Sequence, residues 1–101
     1  MPKYEVVYTG AARADIIAIG DYIREAAGDV VASRFVERIV AASDTLSKQP
    51  LRQRVRIEVA PDVRAIRVGR YLIFYRVETT RVAIVRVLHD ARKITADLLK
   101  P

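Results

Sequence analysis

Cysteine and tryptophan are absent from the 101 residues, histidine occurs once, and glycine and proline occur four times each. Without cysteine there is no disulfide framework, no thiolate zinc site and no cysteine nucleophile, and the redox compartment is left open. A single histidine leaves a conventional metal site without its usual ligands, so no metal is expected. No apolar run approaches the roughly 18 residues of a membrane span, and the opening MPKYE lacks the apolar core of a signal peptide. The expected location is the cytoplasm, away from any membrane. With 51% hydrophobic and 30% charged residues the chain reads as one small globular domain over residues 1–101. A domain this size buries somewhat under ~70% of its unfolded surface, enough for one core and too little for a deep cofactor-enclosing architecture. No cofactor is expected.

The charge is +6, from 18 basic and 12 acidic residues, and it is unevenly placed. Residues 1–50 carry 6 basic and 7 acidic side chains, whereas residues 51–101 carry 12 and 5. The positive field belongs to the second half and favours an anionic partner, nucleic acid or an acidic protein segment alike.

Residues 3–8 (KYEVVY) are aromatic and β-branched and read as a strand, ended by Thr9-Gly10, with Thr9 as a helix cap. Ala12, Ile16, Ile19 and Ile23 recur at intervals of three and four, which predicts an amphipathic helix over 11–27 that Gly20 weakens by about 1 kcal/mol. Gly28-Asp29 stops that helix and starts a second, on which Ala32, Phe35, Val36, Ile39, Val40, Ser43 and Leu46 repeat the helical period up to Pro50. A joint this short forces an antiparallel hairpin. After Pro50 the period changes to two. Val55, Ile57 and Val59 alternate with Arg54, Arg56 and Glu58; residues 65–68, 71–77 and 82–88 follow as further strands, separated by tight turns. The fold expected is α+β, in the order β-α-α-β-β-β-β, with the hairpin on one face of an antiparallel sheet and a short helical tail.

No phosphate-cradling glycine loop, nucleophile elbow or pair of histidines appears, and Ser33, Ser43 and Ser47 all fall in the second helical pattern. Asp21 and Glu25 lie one helical turn apart on a polar face, where solvation accounts for them. Arginine stands out: it supplies 14 of the 18 basic residues. Its planar fork suits carboxylates and phosphates, so the sheet's open face and edges are candidates for a basic groove, although arginine stems also simply cover sheet surface. On strict alternation Arg76 shares a face with Phe74 and Arg86 with Ile84, so each needs a carboxylate partner or an opening to solvent. His89, beside Asp90 and three residues before Arg92, has the chemistry of a general acid or base and equally that of a strand-end hydrogen-bonding cap.

Two C-terminal motifs carry a resemblance: PDVRAIRVGRYLIFYRV at residues 61–77 and IVRVLHDARKI at residues 84–94. They resemble the ParE/RelE superfamily of bacterial type II toxin-antitoxin toxins, and the ParE branch more closely. The likeness extends over nearly the whole chain, through the N-terminal strand, residues 11–16 opening the first helix, Phe35 in the second, and residues 46–50 closing it. The resemblance implies a toxin with a cognate ParD-like antitoxin, growth arrest on expression, plasmid stabilisation, and no membrane.

The family divides by mechanism. RelE-type toxins resemble ribosome-dependent mRNA endoribonucleases, in which converging basic and hydroxyl side chains activate a 2′-hydroxyl and stabilise the crowded phosphate. In that pattern a basic residue follows the tyrosine opening the Tyr71–Tyr75 strand; here it is Leu72, Ala65 replaces another basic position, and no tyrosine follows Arg92. If the chain were RelE-like, Arg67, His89 and Arg92 would be its catalytic residues. ParE-type toxins instead target DNA gyrase, trapping its cleavage complex and meeting DNA only through gyrase or antitoxin. An interface, and no catalytic residue, is then what the chain must supply. The expected partner-binding residues are Arg64, Arg67, Arg70, Tyr71, His89, Arg92 and Lys93, with Tyr8, Tyr22 and Phe35 as apolar anchors or core. A basic adaptor retaining only antitoxin binding would arrest no growth.

Overall fold

The structure, a computed structural model, describes residues 3–56 and 59–99. Strand β1 (Glu5–Tyr8), helices α1 (Gly10–Ala27) and α2 (Asp29–Asp44), and strands β2 (Arg64–Val68), β3 (Tyr71–Val77) and β4 (Arg81–His89) follow in the expected order. Short 3-10 turns occupy Thr45–Ser47 and Ala96–Leu99. The Thr9 hydroxyl accepts the Ala12 N–H at 3.1 Å and donates to the Val85 carbonyl at 3.0 Å, so one side chain caps α1 and fastens it to the sheet. Gly28, at φ +92°, is the single-residue joint between the helices, a left-handed conformation that glycine adopts without a Cβ clash. The helices close on each other at Gly20, where a Cβ would lie 3.4 Å from Val36. That close approach offsets the propensity Gly20 costs. No described helix is long and apolar enough to cross a membrane.

The sheet order is β1-β4-β3-β2. Strands β2, β3 and β4 form the expected antiparallel meander, but β1 pairs with β4 in parallel, so the sheet is mixed. A parallel neighbour needs a long crossover, which the helical hairpin begins. The strand expected at residues 55–59 reduces, among the described residues, to one bridge between Val55 and Arg64. Ile57 and Glu58 lie outside the described residues, and Val59 and Ala60 bond back to the Arg56 carbonyl as a turn.

Each face of the sheet has its own core. Ile73, Tyr75, Val82, Ile84 and Val87 pack against Ala12, Ile19, Ile39 and Leu46 of the helical layer. The opposite face is not the open basic surface that alternation suggested. Leu72, Phe74, Ala83, Val85 and Leu88 are covered there by Ala60 and Val63 of the long loop and by Leu99 of the tail. A buried leucine or isoleucine contributes about 1.5–3 kcal/mol, so a four-stranded sheet with both faces apolar gains more from this cover than a basic groove would allow.

Strict alternation also fails at β4. The register shifts between Phe74 and Tyr75, which face Arg86 and Ile84 respectively, leaving Val85 as the extra residue of a β-bulge. Arg86 therefore lies beside Phe74 and not on the face of Ile84. Both strand arginines find carboxylates: Arg76 Nε donates to Asp62 at 3.0 Å, and Arg86 donates to both oxygens of Asp15 at 2.6 and 2.9 Å.

Candidate functional site: an aromatic and basic end of the sheet

Where β2 turns into β3 and β4 stops, aromatic and basic side chains collect. The turn depends on Gly69, at φ +56°, where an added Cβ would lie 3.2 Å from Phe35 of α2. Tyr71 opens β3 opposite His89 of β4. Its ring meets His89 edge-on at 5.2 Å and Phe35 at 5.5 Å with a 58° tilt. Such pairs contribute about 0.5–1.5 kcal/mol each beyond area burial. The Arg38 guanidinium lies 5.3 Å above the Phe35 ring. Partial burial raises the Tyr71 phenol's pKa, and the nearby Tyr22 phenol adds a smaller push in the same direction. Beside this row, Val31, Arg34, Phe35 and Arg38 line a shallow depression of about 280 Å³ on α2.

Charge at this end is organised by Asp90. Its carboxylate receives Arg67 Nη1 at 2.7 Å and Arg70 Nε at 3.1 Å, and its N–H donates to the Arg70 carbonyl at 2.8 Å. The acid side chain is 15% exposed and the arginines 56% and 73%, so the acid is the enclosed hub and the cations its rim. The Arg67 hydrogen bond, then that of Arg70, hold the Asp90 carboxyl below its ordinary range. Sequence reasoning saw Asp90 only as a neighbour of His89. The available signal was scarcity: with 5 acidic side chains among 12 basic ones in residues 51–101, each acid is sought by several cations.

His89 accepts the Ala91 N–H on Nδ1 at 3.0 Å, which places the neutral ring's proton on Nε2. Nδ1 lies 3.4 Å from Asp90. The histidine thus shapes the turn that follows β4, while Nε2 is left to other partners. Arg92 and Lys93 follow on that turn, exposed and without an ion pair among the described residues.

The structure brings Tyr22, Phe35, Arg67, Arg70, Tyr71 and His89 to one end of the molecule, with Arg92 and Lys93 beside them. It places Arg64 and Tyr8 elsewhere. The Arg64 guanidinium binds the Gln53 carbonyl and holds the long loop to β2. Tyr8 lies on β1, its hydroxyl buried without a hydrogen-bond partner among the described residues. Leu72 and Ala65, at positions where the RelE pattern is basic, are buried in the core of the helix-free face. Arg67 and Arg70 both engage an internal carboxylate, and one imidazole nitrogen engages the main chain. That geometry offers a rim of cations around aromatic surface, suited to an acidic and partly apolar partner.

Residues 6–94 match the family model described as the ParE toxin of the type II toxin-antitoxin system, parDE. Toxin RelE2 of Caulobacter vibrioides is 38% identical over 88 residues, which are 87% of this chain and 97% of that protein. Among solved structures, a chain of the chromosomal ParDE system from P. aeruginosa is similar with a TM-score of 0.77 and 24% identity, covering 86% of this chain and 96% of that one. A chain of the RelBE2 toxin-antitoxin complex from Mycobacterium tuberculosis has a TM-score of 0.64 and 27% identity, covering 91% and 97%.

Proposed function

We propose that this chain, which belongs to the ParE toxin family of type II toxin-antitoxin systems, acts in the cytoplasm by binding DNA gyrase and trapping its cleavage complex, without cutting RNA itself. The observation that supports this most is Leu72. It is 8% exposed and packed among Phe74, Val85 and Leu88, so the position that is basic in the RelE pattern is core in this chain. A phosphoryl-transfer site needs several cations converging on one point, whereas Arg67 and Arg70 are turned on Asp90. A rim of cations around Phe35, Tyr71 and His89 meets the needs of an interface. Contact with DNA is then indirect, through gyrase or the antitoxin, and expression without antitoxin arrests growth and, on a plasmid, stabilises it.

A cognate ParD-like antitoxin neutralises the toxin. The RelBE2 relative comes from a toxin-antitoxin complex, and the matching family is defined by the parDE pair. The depression on α2 offers Val31 and Phe35 as apolar contacts between Arg34 and Arg38, which fits an acidic amphipathic segment that folds on binding. Charge complementarity sets its approach and register, and the apolar anchors supply most of the affinity.

RNA cleavage is the second reading. Arg67, His89 and Arg92 do stand at one end of the sheet, and the Caulobacter relative carries the name RelE2. Induced expression without antitoxin separates the two. Loss of plasmid supercoiling with intact messages is the expected result. Messages cut on ribosomes, with cutting abolished in His89→Ala and Arg92→Ala variants, overturn the proposal.

A further inference from the structure

A net charge of +6, with 12 of the 18 basic residues in the second half, is the composition of a chain that adheres to nucleic acid through its phosphates whatever the base sequence. Yet the two arginines flanking the β2–β3 turn are not held out to anions in solution. Arg67 Nη1 donates to Asp90 Oδ2 at 2.7 Å, and Arg70 Nε lies across both carboxylate oxygens, 3.2 Å from Oδ1 and 3.1 Å from Oδ2. The acid is fixed in place by its main chain. Asp90 N–H donates to the Arg70 carbonyl at 2.8 Å, and the residues just before it, Leu88 and His89, pair with Leu72 and Tyr71 of β3. The Gly69 carbonyl takes a longer bond from Arg67 Nη1, at 3.4 Å, which holds that guanidinium over the turn. A phosphate arriving from solution has either to displace this tethered carboxylate, whose effective concentration is on the order of millimolar or more, or to lie beside it and bear the repulsion. Arg92 and Lys93, on the turn that follows, are exposed and carry no such counter-ion among the described residues. Two cations on one exposed turn make only a weak phosphate site.

We infer that Asp90 sets the class of partner at this end of the sheet: by occupying Arg67 and Arg70 it keeps them from phosphates, so that single-stranded nucleic acid is refused and a protein surface is accepted. The inference rests on the assignment of the aromatic end to a protein partner. Arginines that bring their own carboxylate can be covered by neutral or apolar surface without stranding a charge, and Phe35, Tyr71 and His89 supply the contact beside them. Replacing Asp90 by asparagine keeps the shape of the side chain, raises the local charge by one unit, and turns the same end into a phosphate cradle of Arg67, Arg70, Arg92 and Lys93.

The probe is a short fluorescent single-stranded RNA of mixed sequence, titrated by anisotropy into the full-length chain over a range of salt concentrations, with neither gyrase nor ribosomes present. Asp90→Asn binds it about tenfold more tightly than the wild type at low salt, and the slope of log K against log salt steepens by about 0.7–1.4, as one or two further phosphate contacts on a single strand require. Adding Arg67→Gln and Arg70→Gln to Asp90→Asn removes both changes. A folded Asp90→Asn chain with unchanged affinity and slope, or a gain that survives the loss of both arginines, overturns the inference. NMR of the wild type decides the matter even where a variant does not fold. As the RNA is added in excess, the Arg92 and Lys93 amides shift while the Arg70 Nε–H signal, bonded to Asp90, stays in place. An Arg70 Nε–H signal that moves with those of Arg92 and Lys93 shows the carboxylate giving way to phosphate, and overturns the inference. Gyrase takes no part in these measurements, so failure of the gyrase assignment shows in the supercoiling assay and failure of this inference shows here.

Discussion

Replacing Asp15 by alanine should destabilise the fold more than any exposed charge substitution. The carboxylate lies on α1, receives Arg86 at 2.6 and 2.9 Å, and also accepts the Val87 N–H at 2.9 Å. That amide belongs to the stretch of β4 beyond Ile84, where β1 has already ended, so Asp15 substitutes for a missing strand. The two side chains are 17% and 14% exposed. The hydrogen bond that Arg86 donates to Asp15, with that carboxylate's charge, raises the guanidinium's pKa above its ordinary value against the opposing effect of burial. Exposed ion pairs contribute at most ~1 kcal/mol, whereas stripping one partner from a buried pair costs about 3–5 kcal/mol. Leaving the Val87 amide without an acceptor adds about 1–3 kcal/mol, and residual solvent access lowers the sum. A loss of about 3–4 kcal/mol follows, a large fraction of the ~5–15 kcal/mol of a typical domain. In thermal melting this is a fall in Tm of roughly 15–20 °C at this chain length. Urea unfolding of Asp15→Ala at neutral pH measures it, and Arg86→Met in the same background should recover part of the loss by removing the stranded charge. A loss below ~1 kcal/mol, or further destabilisation in the double variant, refutes the reasoning.

Gly69→Ala should cost about 1–2 kcal/mol for the left-handed backbone alone, and its Cβ, 3.2 Å from Phe35, should displace that ring from Tyr71; urea unfolding and the aromatic NMR signals report both. Burial pushes the Tyr75 phenol up to about 12 from 10.0, with Arg64 opposing, so the folded chain holds its proton where the unfolded chain has lost it. Stability is therefore full below pH 10 and falls as pH rises towards 12, and Tyr75→Phe should flatten that fall. The same substitution removes the bond to the Pro50 carbonyl, at about 0.5–1.5 kcal/mol near neutral pH. Asp90, with its carboxyl held below 3.8 by Arg67 and Arg70, contributes stability that is present above that value and lost as pH falls through the lowered one. Asp90→Asn should accordingly be less stable than wild type at pH 7 and lose less on acidification, as read from urea midpoints between pH 2 and 7.

The helical hairpin was legible because Ile19, Ile39 and Leu46 keep the 3.6-residue period, and Thr9 and Gly28 punctuate it with their own chemistry. The meander was legible from Gly69 and the apolar runs on either side of it. What periodicity conceals is long-range. The bulge at Val85 re-aims Arg86, and nothing local in residues 82–88 distinguishes a bulged strand from a straight one. The pairing of Asp15 with Arg86, 71 residues apart, depends on that bulge and on the early end of β1. Residues 71–77 are apolar on both faces, which is the signature of a sheet covered on both sides. The cover comes from Val63 and Leu99, in segments whose composition reads as loop and tail, so the second core was missed. At the aromatic end, His89, Arg67 and Arg70 were visible as residue types, but their convergence on Asp90 required the register of three strands.

The most direct test of the proposed target is a reaction of purified gyrase, relaxed plasmid and ATP with this chain, stopped with detergent and protease. Linear plasmid accumulating in proportion to added protein, and suppressed when Arg67 and Arg92 are replaced by glutamate in a chain that remains folded, is the predicted result. Undiminished supercoiling with no linear product, alongside message cleavage when the same preparation meets translating ribosomes, contradicts it.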